Sequence, residues 1–238
     1  YGVKPPIKNQ TKRYFQQLTR MSAALAISID VAMLTLGGAL KRHEKLSARF
    51  ADVLSQLYLI SCTLKRFDDD CSPEQDLPIV RWICENAFYT IQQRFDGVIK
   101  NLPNRPAAWL LRILIFPLGR RYTEASDKLG HQVARLLLSP SETRDRLTHG
   151  IFIASELNEP TGLIEDTLQK VIAAEPAEKK LRAAIKSGKV PSDHKNIIAQ
   201  CVELSLMSEE EAQLIEAATA ARNLVIQVDD FAASELKK

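Results

Sequence analysis

Between Leu46 and Phe67 the apolar residues fall at alternating intervals of four and three: Leu46, Phe50, Val53, Leu57, Ile60, Leu64 and Phe67. That spacing lays seven side chains along one face of a helix and calls for a facing helix at a shallow, near-antiparallel angle. A chain with such a seam builds helix against helix. No alternating strand pattern of convincing length competes with it. Nine glycines are too few for a turn-dense sandwich or barrel, and most of the eleven prolines punctuate periodic segments. The expected class is all-α, an antiparallel helical bundle with a trailing subdomain of shorter helices. The expected division is a linker over 1–8, the main bundle over 9–150 and a smaller helical subdomain packed on it over 151–238. The last stretch carries a net charge of −5.

The first helix is expected from about Asn9 to Leu36. Its run from Met21 to Leu40 is almost wholly apolar and about as long as the ~20 residues a membrane span needs. Asp30 lies in the middle of that run, where a carboxylate costs roughly 2.5–3.5 kcal/mol in a bilayer. The segment therefore reads as the central helix of the bundle, buried all round, with Asp30 as a buried polar contact paired to a neighbouring arginine or hydroxyl. Lys41, Arg42, Lys45 and Arg49 would crowd the positive end of a helix beginning at Leu40. Either one helix runs on through Gly37-Gly38, the simpler option, or these residues have an outside anionic partner. A third helix is expected from Pro78 to Leu102, with Ile79, Trp82, Ile83, Ala87, Phe88, Ile91, Phe95, Val98 and Ile99 facing the core. Further helices follow over Thr123–Leu138, from near Ser141 to Gly150 after a capping box at Ser139-Pro140-Ser141-Glu142, and over Thr161–Ala174, Ala177–Lys186 and Asp193–Leu206. A second capping box, Ser208 to Glu211, opens the last helix, through Val228.

Ala107 to Leu118 (AAWLLRILIFPL) is the most unusual piece. As a helix it is about 18 Å long, too short to cross a bilayer. Arg105, Trp109, Arg112, Phe116, Arg120 and Arg121 form the candidate surface for a membrane interface or a partner's groove. The competing reading, favoured from the sequence, folds the segment into the bundle with Trp109 and Phe116 as core anchors.

The chemistry of most enzyme classes is absent from the pattern. No GxGxxG follows a strand, and there is no phosphate loop, HExxH or GxSxG elbow. Cys62, Cys71, Cys84 and Cys201 form no CxxC and no zinc spacing; they suit a reducing compartment, so cytoplasm is expected. Asp68-Asp69-Asp70 reads as a solvated helix end. A net charge of +3 is too small to point to nucleic acid. No catalytic, cofactor-binding or metal-binding residue is assigned. The opening Tyr1-Gly2-Val3-Lys4-Pro5-Pro6 reads as the tail of a linker in a longer polypeptide.

Gly37-Gly38-Ala39-Leu40-Lys41-Arg42-His43-Glu44-Lys45-Leu46-Ser47-Ala48-Arg49-Phe50-Ala51-Asp52-Val53-Leu54-Ser55 resembles the C-terminal region of the FadE-type bacterial acyl-coenzyme A dehydrogenases. Leu64-Lys65-Arg66-Phe67, Asp76-Leu77-Pro78 leading to Trp82, Arg105-Pro106, Phe116-Pro117-Leu118-Gly119 and Leu138-Ser139-Pro140-Ser141 extend the likeness over essentially the whole chain. The resemblance implies a parent enzyme that uses FAD to oxidise fatty acyl thioesters in β-oxidation, with a glutamate as base. No glutamate here matches that base, and no flavin-binding segment is recognisable. FAD is thus expected in the parent and not in this region, which by itself is expected to be non-catalytic. The implied partners are the catalytic core of the same polypeptide, a second copy in a homodimer, and a peripheral contact at the inner membrane. The alternative is an independent helical adapter for partner proteins or anionic membrane.

Overall fold

The computed structural model describes residues 10–156, 159–190 and 196–228. The expected linker over 1–8 lies outside them. Every regular element among the described residues is helical, as the seam requires. The chain divides into two compact units, Tyr1–Leu147 and Thr148–Lys238.

The first unit is built on α1 (Lys12–Leu36), α2 (Glu44–Asp69), α3 (Leu77–Asn101) and α4 (Arg105–Ile115). α2 packs along α3, α1 lies on α2, and α4 closes the ring against α1 and α3. All seven seam residues of α2 are buried. They meet Val80, Cys84, Ala87, Phe88, Ile91, Phe95, Val98 and Ile99 of α3 in one core that also takes Met21, Ala24, Leu25 and Ala32 of α1 and Ala108, Leu111, Ile115 and Phe116. Trp82 is not part of it: the indole is 39% exposed, and Val80 and Cys84 turn inward instead.

Two expectations for α1 are corrected. The helix does not run through the glycines. Gly37 adopts φ 51°, ψ −130°, a conformation that L side chains rarely accept, and Gly37–Arg42 forms a 3₁₀ turn before α2 starts at Glu44. Lys41 and Arg42 therefore sit at the end of that turn and do not crowd the start of α2. Nor is α1 buried all round. Its inner side meets α2, α4 and, through Tyr14, Phe88 of α3, and its other side is uncovered, so Asp30 is exposed and is not a buried contact among the described residues.

After α4 the chain crosses α3 without regular structure until α5 (Asp127–Leu138), whose N-cap Ser126 accepts from the Leu129 N–H. α6 (Glu142–Thr148) begins beside Ser141 and ends before Gly150, as the sequence predicts, although Ser139 does not cap it. The Ser139 hydroxyl donates back to the Arg135 carbonyl, which leaves Ser141 to accept from the Arg144 N–H. α6 is clasped to the start of α3. Arg146 donates to both oxygens of Asp76 (3.1 and 2.8 Å), and the Thr143 hydroxyl donates to the same carboxylate at 2.5 Å.

In the second unit α7 (Pro160–Lys186) packs along α9 (Glu209–Ile226), with α8 (Ile197–Glu203) against both. The break expected near residues 175–176 does not occur. Pro176 removes one helical N–H, a loss of about 3 kcal/mol in an isolated helix. Ala174 and Ala177 on either side are buried, and packing carries α7 through as a single 27-residue helix. Glu178 joins the two long helices by accepting from Arg182 and from Arg222 of α9, each at 2.9 Å. The Ser208–Glu211 capping box forms as expected, and α9 stops two residues short of Val228. Residues 193–195 of the expected Asp193–Leu206 helix lie outside the described residues.

Candidate functional site

α4 is apolar on both sides, and that decides where its side chains can act. Asn104 caps it by accepting from the Ala107 N–H, and Pro106 occupies its first turn. Ala108, Leu111 and Ile115, at intervals of three and four, face the core. Trp109, Leu110, Ile113 and Leu114 occupy the opposite face and are exposed, Trp109 by 67%. The segment is therefore neither wholly core nor wholly surface. Phe116 anchors it as expected, at 8% exposure, and Trp109 does not.

The arginines divide by what they hold. Arg105 donates to the carbonyls of Ile99, Lys100 and Leu102, the unsatisfied C-terminal groups of α3. Arg20 of α1 does the same for the Ile115 carbonyl of α4 at 2.6 Å. Arg121 donates to the Leu118 carbonyl at 3.2 Å. Arg120 and Lys100 hold one oxygen each of Asp96, whose side chain is only 10% exposed. Burial alone would push that carboxyl up, but the hydrogen bonds from Lys100 and Arg120 hold it below the usual aspartate range. Arg112 makes no hydrogen bond or ion pair with any described residue, and it lines a cleft of about 280 Å³ together with Ile99, Phe116, Gly119 and Arg120.

Arg120 reaches the cleft because the chain from 116 to 126 lies as a strap across α3. Gly119 turns with φ 79° while its N–H bonds the Phe116 carbonyl, which sends Arg120 back toward Asp96. One turn along α3, the Gln92 amide replaces a strand partner. It donates to the Tyr122 carbonyl at 2.8 Å and accepts from the Tyr122 N–H at 3.0 Å. Asn86 accepts from the Ala125 N–H at 3.0 Å. The Tyr122 ring stacks on Phe88, with centroids 5.5 Å apart, and Phe88 stacks in turn on Tyr14. Asn86, Gln92 and Asp96 were not singled out in the sequence. The available signal was polar residues recurring on an otherwise core-facing helix, at the spacing of one or two turns.

A second feature went unread: the outward stripe of α1. Ala23, Ala26, Ile27, Asp30, Met33 and Leu34 recur at helical spacing and are all exposed, Leu34 by 86%. The stripe is apolar and partly small, the profile of a face that accepts another element closely. Lys12–Arg42 is also the one stretch among the described residues long and apolar enough to cross a membrane.

Residues 1–231 match the family model described as acyl-CoA dehydrogenase, C-terminal, bacterial type. No solved structure matches the chain significantly.

Proposed function

The chain belongs to the bacterial-type acyl-CoA dehydrogenase C-terminal family, and on that premise we propose that it is the accessory helical region of an FAD-dependent acyl-CoA dehydrogenase of fatty-acid β-oxidation, packed on the catalytic core of the same polypeptide in the cytoplasm. The observation that carries this reading is the outward stripe of α1. Six exposed residues from Ala23 to Leu34 at helical spacing, five of them apolar, suit burial against a further protein surface. The cleft beside α4 does not fit the flavin dinucleotide. At about 280 Å³ it lies below the roughly 300–1,000 Å³ that drug-sized ligands occupy. No dehydrogenation step is routed through these residues, and the flavin belongs to the parent's core.

The test is accessibility. Cysteine placed at Ala23 or Leu34, in a background with Cys62 and Cys71 replaced by serine, is treated with a maleimide in the full-length enzyme and in the 238-residue chain alone. Docking predicts rapid labelling in the chain and strong protection in the enzyme. Equal labelling rates would reject the docked face.

A second reading concerns α4. Trp109, Leu110, Ile113 and Leu114 beside unpaired Arg112 match the profile of an interfacial helix on an anionic bilayer. Sedimentation with anionic liposomes tests it. Trp109→Glu should abolish co-sedimentation, and unchanged binding rejects that surface.

A further inference from the structure

We propose that the cleft between α4 and the strap is a binding site for a phosphate-bearing anion, gripped by the guanidiniums of Arg112 and Arg120. The charges around it do not cancel. Asp96 is the carboxylate paired there, and both its oxygens are in use, Oδ1 by Arg120 and Oδ2 by Lys100 at 2.9 Å. Arg112 is not among its partners. Arg112, Arg120 and Lys100 against Asp96 leave two formal positive charges at one end of α3 and α4.

A surface arginine without a partner is common, and the plain reading of Arg112 is a cation set against the negative end of α4's dipole. Three observations argue for more. Arg20 already serves the Ile115 carbonyl at that end. Arg112 lines a concave space, where charge is focused, and shares that lining with a second arginine, Arg120. The Arg120 guanidinium is already held by Asp96, so less of its freedom remains to be lost when an anion arrives. Guanidiniums are planar forks that match phosphate oxygens in pairs. A volume of about 280 Å³, with Ile99 and Phe116 also in its lining, accepts a phosphate and the first atoms of the group it esterifies. Gly119, which also lines the cleft, holds the positive-φ turn that brings Arg120 back to Asp96.

The shared chemistry is a phosphate mono- or diester, and it has two sources, a soluble phosphate compound or a lipid headgroup. The experiment is calorimetric titration of the full-length, flavin-loaded protein with inorganic pyrophosphate and, separately, with dioctanoyl phosphatidic acid below its micellar concentration. At least one probe should bind saturably. Arg112→Gln should weaken that binding by about tenfold or more, and Arg112→Lys, which keeps the charge without the fork, by less. Lys41→Gln, a cation outside the cleft, should leave the affinity unchanged. Unaltered melting temperatures show that the variants are folded. Phosphatidic acid binding much more tightly than pyrophosphate identifies a headgroup site, and comparable affinities identify a site for soluble phosphates. The proposal is overturned if neither probe saturates below roughly 10 mM, if Arg112→Gln binds like the parent protein, or if Lys41→Gln loses as much as Arg112→Gln. These readouts do not depend on whether α1 docks on the catalytic core.

Discussion

Gln92 is the residue on which the strap depends most directly, and replacing it separates the strap's hold from the rest of the bundle. The side chain is 3% exposed, and its amide makes two hydrogen bonds to the backbone of one residue, Tyr122. Gln92→Ala removes both. Each bond contributes about 0.5–1.5 kcal/mol net, and a stranded buried group adds a cost of its own. Tyr122 is only half-buried, so water reaches part of what is stranded, and the total loss is about 2–3 kcal/mol. At about 1.4 kcal/mol per factor of ten, local opening becomes roughly 30- to 150-fold more frequent. Hydrogen exchange reads this at the Tyr122 and Ala125 amides, while amides in the middle of α2 keep their protection.

Gln92→Glu sharpens the test. A protonated carboxyl donates and accepts as the amide does. A carboxylate only accepts, and it faces the Tyr122 carbonyl. The neutral form is thus the stabilised one, and its folded pKa lies above the unfolded glutamate value of about 4.3. The strap's hold is then complete below that value and is lost as pH rises through the folded pKa. Protection in Gln92→Glu should approach wild type near pH 4 and fall to the Gln92→Ala level at pH 7, after correction for intrinsic exchange. Unchanged protection of 120–126 in Gln92→Ala would show that the aromatic stack holds the strap by itself.

Three other expectations follow from the same contacts. Asp96 is held below the usual carboxylate range, so its contribution is complete above about pH 3.9 and lost as pH falls through the lower folded value; exchange of the bonded Tyr122 amide in the same strap, corrected for its intrinsic rate, should stay slow at pH 5 and quicken only in stronger acid, and Asp96→Asn should remove that dependence. Gly162 and Gly130 should respond oppositely to alanine in denaturant titrations. A β-carbon at Gly162 would stand 2.4 Å from the Glu156 carbonyl oxygen and 2.7 Å from that of Ala154, which outweighs the helix-propensity gain and destabilises by about 1–3 kcal/mol. At Gly130 its only near neighbour is the Trp82 ring at 3.8 Å, so the gain of up to about 1 kcal/mol survives. Burial, and then the neighbouring Glu85, push the Cys84 thiol up to about 12, so alkylation of the native protein at pH 8 should modify exposed Cys62 and Cys71 and spare Cys84 until denaturant is added.

The legible parts of this fold are those where one periodicity acts alone. The α2 seam identified its own buried face residue for residue, and the Ser208–Glu211 box opened α9 where it stood, because both signals are local. The misread parts are those where tertiary context outweighs a local rule. Pro176 ends a helix by propensity, yet α7 continues because α9 packs along it. Gly37-Gly38 looked like a tolerable interruption, and only the positive φ of Gly37 shows that the chain turns there. The strap was invisible for another reason. Its bonds join side-chain amides to backbone atoms 30 or more residues away, and no periodic pattern marks such a partner.

Asp30 bears on which surface covers α1. It lies in the middle of the outward stripe, so anything that buries Ala26, Ile27, Met33 and Leu34 buries the carboxylate with them. In a bilayer it would meet no fixed partner, at a cost of roughly 2.5–3.5 kcal/mol. A protein surface offering one arginine or a pair of hydroxyls turns the same residue into a contact that fixes the helix's register, since a one-turn slip would strand the charge. The pairing read from the sequence is absent among the described residues, and docking of α1 on the catalytic core, as proposed, would supply it there. That assignment separates the two exposed faces by occupant: α1, with its central acid, suits protein, whereas α4, with a tryptophan and an unpaired arginine, suits an anionic surface.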